Sequence, residues 1–204
     1  MDKLSFIFVK RELLKRKILI FTVKDFIRIF NVQPKTARSF LSFNAGRGNI
    51  RRVKRGSYMF YDDQLGKFEI ANYLYKPSYV SFETALSYYG IIPEMVYAII
   101  SATTNRNAKE VDLDGQNYQY RQIKKTLFFG YEPIKIKNRL VLMADKEKAL
   151  LDYLYLLSLK HNQINERIDL TKIDKKKLDK YVNYFKKFVR KNRALINLLK
   201  SINL

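Results

Sequence analysis

Asn49–Asp62 reads NIRRVKRGSYMFYD, and whether this stretch is a basic linker or a small hairpin decides the fold of everything before it. Four cations, Arg51, Arg52, Lys54 and Arg55, stand immediately before Gly56, after which the chain turns aromatic and apolar. NIRRV and SYMFY both have strand composition, and Lys54-Arg55-Gly56 between them can turn, because glycine reaches positive φ without a Cβ clash. A linker has no use for Tyr58, Met59, Phe60 and Tyr61 in succession. The reading is therefore a β-hairpin with cations at and near its tip. Ile50 and Val53 are an odd number of residues apart, so simple alternation leaves the register of the first strand open.

Upstream of the hairpin the pattern is helical. Leu4–Arg16 fits an opening helix imperfectly. In FTVKDFIRIFNV, Thr22 is a good N-cap, Asp25 follows three residues later as in a capping box, and Val23, Phe26, Ile27 and Phe30 share one face. Asn31 suits the helix end. A third helix follows in QPKTARSFLSFNAGRG, with Pro34 in its first turn and Gly46 closing the segment. Two short helices joined by about three residues make a helix-turn-helix candidate. With the hairpin directly after it, the order is that of a winged helix.

At 3.6 residues per turn, Ala37, Phe40 and Leu41 of the third helix face inward, while Lys35, Ser39 and Ser42 point away, flanked by Thr36 and Arg38. These are phosphate-contacting and base-edge-contacting side chains, as a recognition helix presents them to a major groove. An ordinary amphipathic helix with a polar solvent face reads the same way in isolation. With Arg47 and the hairpin cations Arg51, Arg52, Lys54 and Arg55, which would lie along the DNA backbone or minor groove, they form the candidate DNA-binding set.

The whole chain of 204 residues carries a net charge of +21 and is 47% hydrophobic and 14% aromatic, enough to bury a real core. The charge is uneven. Residues 1–61 hold 15 Lys+Arg against 3 Asp+Glu, a net of +12; residues 62–159 hold 12 against 12; residues 160–204 hold 13 against 4, a net of +9. A head this basic points to a polyanion, most often nucleic acid, although a proteome rich in lysine would bias every solvated face as well. There is no cysteine and one histidine, His161, so no zinc site of the Cys or Cys/His kind can be assembled within one chain. No apolar run approaches a membrane span, and the N-terminus reverts to charge too early for a signal peptide, so the expectation is a cytoplasmic protein without a cofactor or metal.

The neutral centre reads as α+β. Asp62–Leu65 is a boundary and Phe68–Tyr75 a connecting segment. Ser81 caps a helix that Gly90 ends and Pro93 blocks. VYAIISAT is a buried-type strand. One hairpin turns at Asp114-Gly115 and another near Lys137-Asn138, and Asp145 caps a last helix. The series SYVSFETALSYYGIIPE, VYAIISATTNR, YQYRQIKKTLFFGY and ADKEKALLDYLYLL resembles the AbiEi family of antitoxins and regulators, from type IV toxin-antitoxin and abortive-infection phage-defence systems. The resemblance covers essentially residues 15–158. It implies an N-terminal winged helix, here residues 1–62, followed by an antitoxin domain, here 63–160, while the basic helical extension over 161–204 is less family-like and is read from its own residues. It implies further a DNA-binding autorepressor of its own operon that counteracts a nucleotidyltransferase-like toxin of the AbiEii kind, directly or only functionally. It transfers no catalytic residue. Its shared segments look structural, with Glu147 and Asp152 pairing with Lys148 or capping backbone groups, or else contacting the toxin.

Enzyme chemistry has little to stand on. Asp112-Leu113-Asp114 has the D-x-D spacing with which nucleotidyltransferases hold a divalent metal, but the upstream Gly-Ser element is missing and Asp114-Gly115 already explains a turn. No G-x-S-x-G, H-E-x-x-H or Walker-type GKS or GKT is present. The expectation is a non-enzyme; a stand-alone regulator without a toxin, or a nucleic-acid-processing enzyme using the same basic surfaces, are the alternatives.

The tail, DKKKLDKYVNYFKKFVRKNRALINLLK from Asp174 to Lys200, places Leu178, Tyr181, Val182, Phe185, Phe188, Val189, Leu195 and Leu199 along one stripe. Lys175, Lys176, Lys180, Lys186, Lys187, Arg190, Lys191 and Arg193 lie on the other face. A helix broken near Asn192 that docks its stripe on the core, a second DNA contact centred on Lys186, Lys187, Arg190, Lys191 and Arg193, and a membrane-surface helix all fit the pattern.

Overall fold

The computed structural model describes residues 4–61, 65–104, 109–160, 164–165, 167–189 and 192–202. The fold is mixed α and β, with eight α-helices and two sheets among those residues. The chain divides into two compact units, Met1–Leu65 and Gly66–Leu204.

The first unit runs α1 (Phe6–Lys15), β1 (Ile20–Thr22), α2 (Val23–Phe30), α3 (Pro34–Gly46), β2 (Ile50–Lys54) and β3 (Ser57–Phe60). Its three strands form one antiparallel sheet in the order β1-β3-β2. The hairpin is present, and its open register is resolved by a bulge. Arg52 pairs with Tyr58 and Lys54 with Ser57, so Val53 is the extra residue, and both Ile50 and Val53 are buried. Gly56, at φ +75, makes the turn. Strand β1 is an addition to the sequence reading, in which Phe21 and Thr22 only introduced a helix. Val9, Leu13, Phe21, Phe26, Leu41 and Phe60 build the core that α1, α2, α3 and the sheet share.

The capping box forms as the spacing demands. The Asp25 N–H donates to Thr22 Oγ1 (3.1 Å) and the Thr22 N–H to Asp25 Oδ2 (3.0 Å). The Thr22 hydroxyl, its amide and then Arg28 hold the Asp25 carboxyl below the usual aspartate range. A depressed folded value contributes stability above the unfolded value, about pH 3.9, that is lost as pH falls through the folded one. Asp25→Ala is therefore expected to cost about 0.3–1 kcal/mol near neutrality. In thermal unfolding, its gap from wild type should close in acid, as pH falls from the unfolded value through the depressed folded one.

The second unit contains α4 (Lys67–Leu74), β4 (Ser78–Val80), α5 (Phe82–Tyr88), β5 (Ile99–Thr103), β6 (Lys109–Leu113), β7 (Gln116–Gln122), β8 (Tyr131–Ile136), β9 (Arg139–Ala144), α6 (Lys146–Lys160), α7 (Lys175–Phe188) and α8 (Arg193–Ser201). Both expected hairpins are there, turning at Asp114-Gly115 and Lys137-Asn138. The six-stranded sheet, ordered β6-β7-β5-β4-β9-β8, is nevertheless mixed: β5 runs parallel to β7, and β4 parallel to β9. Residues 68–75, expected to connect, are mostly helix α4. Glu69 accepts the Gly66 N–H at 2.8 Å, Ile70, Ala71 and Leu74 are buried, and Asn72 clasps the Leu142 N–H (2.7 Å) and C=O (3.1 Å). No helix among the described residues is long and apolar enough to cross a membrane.

The tail belongs to this second unit. Helices α7 and α8 both pack on α6, through a buried stripe that includes Leu178, Val182, Phe185, Val189, Leu195 and Leu199. Phe188, assigned to that stripe, is instead at the exposed edge, packed on Tyr184. The break falls where expected. Asn192 caps α8 by accepting the Leu195 N–H (3.0 Å), while its Nδ2 donates to the Ser158 hydroxyl (2.8 Å).

Candidate nucleic-acid interface

Helix α3 buries Ala37 and Leu41 and lays Phe40 against the core, which leaves Lys35, Thr36, Arg38, Ser39 and Ser42 in solvent on its far side. Asn44 is also inside. Its Nδ2 donates to the Phe40 carbonyl (2.9 Å) and its Oδ1 accepts from Asn49 Nδ2 (2.9 Å), tying the end of α3 to the start of the hairpin. Arg47, just past the helix, is exposed and stacks its guanidinium 4.3 Å from the centre of the Phe43 ring.

Arg52, Lys54 and Arg55 are exposed on the hairpin, and Arg51 is half-buried. Aromatic faces steady two of them: Arg51 lies 6.0 Å from the Tyr61 ring centre and Arg52 lies 5.7 Å from that of Tyr58. Residues 1–61 hold 15 Lys+Arg against 3 Asp+Glu, so the unit carries a large net positive charge. The ion pair described within this unit, Arg28 to Asp25, lies on α2. The unit thus offers a cationic hairpin and a helix face of cations and hydroxyls.

Phe43 did not figure among the sequence candidates. It is 57% exposed on the same face of α3 as Ser39 and Ser42. The signal was available, since residue 43 follows Ser39 by one turn, but an aromatic residue in an amphipathic helix is ordinarily assigned to the core.

The tail cations divide differently. Lys186, Lys187 and Arg193 are exposed, while Arg190 and Lys191 lie outside the described residues, as does His161. Lys186 and Lys187 occupy the last turn of α7, where cations favour the helix dipole, and Lys124 Nζ donates to the Phe188 carbonyl at the same end (3.0 Å). A helix C-terminus thus accounts for Lys186 and Lys187 without a DNA contact. Asp112, of the D-x-D pair, accepts the Gly115 N–H at 3.1 Å and belongs to a hairpin turn.

The other concentration of chemistry is sealed. Lys148 and Asp152, one turn apart on α6, are fully buried and paired. Asp152 Oδ2 also accepts from the Tyr79 hydroxyl (2.9 Å) and from Ser81 Oγ (2.8 Å), and Lys148 Nζ donates to the Tyr79 oxygen (2.8 Å). Burial pulls the Lys148 ammonium below its usual range and the Asp152 carboxyl above its own, each opposed by the partner's charge. Burial, and then the Asp152 charge, raise the Tyr79 phenol. Ser81 occupies the N-cap position of α5 but makes no side-chain cap bond, because its hydroxyl is spent on Asp152. Phe82 follows with φ 54 although fully buried, turning the chain from β4 into α5. Glu147 does cap backbone: its Oε1 accepts the Asp174 N–H at the start of α7 (2.9 Å).

No protein-family model matches this chain and no curated protein does, so what α3 and the hairpin bind has to be argued from their own residues.

Proposed function

We propose that the first unit is a winged helix with which the protein binds its own operator as an autorepressor in the cytoplasm, and that the second unit serves as an AbiEi-like antitoxin against a nucleotidyltransferase-like toxin. The observation that carries the DNA-binding half is the exposed polar face of α3 beside a hairpin tipped with Arg52, Lys54 and Arg55. The element order α1-β1-α2-α3-β2-β3, with β1 completing the sheet, supports the winged-helix assignment. In this reading Lys35, Thr36, Arg38, Ser39 and Ser42 enter the major groove, and the hairpin cations hold phosphates.

The antitoxin half rests on the resemblance of the four sequence motifs. It is supported by the meeting of two of them: Tyr79 and Ser81 from SYVSFETALSYYGIIPE share one hydrogen-bonded cluster with Lys148 and Asp152 from ADKEKALLDYLYLL. These segments therefore form a single folded unit.

The test is fluorescence anisotropy of the full chain with a labelled duplex from the region upstream of its own reading frame, against a scrambled duplex. Tighter binding to the upstream duplex that persists at about 200 mM salt is expected. Equal binding to both, lost together as salt rises, would reduce the basic head to a polyanion grip and remove the repressor. Coexpression with a neighbouring nucleotidyltransferase reading frame tests the antitoxin half, for which rescue of growth is expected.

A further inference from the structure

We infer that Phe43 is a specificity-determining residue that packs on the 5-methyl group of thymine in the operator's major groove, an inference that rests on the DNA-binding reading above. Ser39, Ser42, Phe43 and Gly46 are spaced i, i+3, i+4 and i+7, so they line one side of α3 over about two turns. Three of the four are small, and the fourth is a phenyl ring that is 57% exposed.

The ring is not explained by the hydrophobic core. Phe43 stands apart from the hydrophobic core to which its neighbours Phe40 and Ala45 contribute. Gly46 ends α3, and a Cβ built on it would have nothing within 4 Å among the described residues, with a φ outside the positive region, so the space beside it is open. Glycine is also at home where a backbone must come close to a ligand. A helix face of two serines and a glycine lets the backbone approach base edges closely enough for short hydroxyls to reach them.

On such a face an apolar ring needs an apolar partner. The base edges of the major groove present donors and acceptors, and the thymine methyl is the one apolar group among them. Arg47 steadies the ring, with the guanidinium 4.3 Å from the ring centre. The same cation can reach a phosphate while it holds the ring, which couples positioning to readout.

The experiment uses the full chain, the upstream duplex, and the same duplex synthesised with deoxyuridine in place of every thymidine, which deletes only the methyl groups. Wild type is expected to bind the uracil duplex more weakly, by about fourfold for each methyl contacted. Phe43→Ala should bind both duplexes equally, at the wild-type affinity for the uracil duplex, and Phe43→Leu should keep part of the discrimination. The ring is exposed, so both variants should unfold at the wild-type midpoint. If wild type and Phe43→Ala lose the same factor on the uracil duplex, or if wild type loses none, Phe43 does not read thymine, although the repressor reading stands. If wild type shows no preference for the upstream duplex over a scrambled one, the repressor reading fails and this inference goes with it.

Discussion

Asp152→Ala is expected to lower the unfolding free energy by about 3–5 kcal/mol in denaturant titration, the largest single-residue effect anticipated in this chain. Lys148 and Asp152 are fully buried, and the carboxylate is the acceptor for the ammonium, the Tyr79 phenol and the Ser81 hydroxyl at once. Removing it strands all three donors in a medium that cannot solvate them. The ammonium would keep the Tyr79 oxygen and the faces of Tyr79, Phe129 and Phe185, whose ring centres lie 5.2–5.4 Å away. That is weak compensation for a lost charge. It has little room to move, because the Lys148 stem runs beside Gly130, where a Cβ would come within 3.0 Å of it. Lys148→Met combined with Asp152→Leu should recover most of the loss, since the cost lies in the unpaired charge rather than in the missing attraction. Recovery should be incomplete, because the Tyr79 and Ser81 hydroxyls would still lack their acceptor. A loss below about 1 kcal/mol for the single variant would show that the pair contributes little beyond its own desolvation.

The features that were legible in the sequence are those written in local chemistry. The Thr22–Asp25 capping box, Pro34 in the first turn of α3, and the turns at Gly56, Asp114-Gly115 and Lys137-Asn138 each depend on residues within a few positions of one another. Features set by distant partners were not. Strand β1 is three residues long, overlaps the cap of α2, and is a strand only because Phe21 meets Tyr58 across the sheet. The odd spacing of Ile50 and Val53 looked like an ambiguity and is a bulge. Ser81 read correctly as the residue before a helix, but its hydroxyl answers to Asp152, 71 positions away. The mixed sheet likewise follows from pairings between strands that are not neighbours in sequence. For the candidate interface the balance is better: the projection of α3 put Ala37, Phe40 and Leu41 inward and the polar residues outward, as the structure has them. Phe43 is the exception: its position one turn after Ser39 places it on the exposed face, while an aromatic residue type ordinarily points to a core.

Replacing Arg52, Lys54 and Arg55 together with alanine should separate grip from readout in the first unit. Each phosphate neutralised by a cation contributes about 0.9 to the slope of log affinity against log salt, so losing three contacts should flatten the slope by about 2.7. Across a rise from about 50 to about 200 mM salt, the variant would then lose about 40-fold less affinity than wild type, having started far weaker. The three side chains are exposed and make no part of the core, so the unfolding midpoint should stay where it is. Because phosphates carry no sequence, preference for the upstream duplex over a scrambled one should survive, measured at a salt concentration where both complexes are still detectable. Arg38→Ala and Ser39→Ala should behave in the opposite way, changing the ranking of duplexes and leaving the slope nearly as it was. If the hairpin variant instead changed the ranking, the tip would be reading a base or a groove width, and the division of labour between helix and hairpin would have to be reversed.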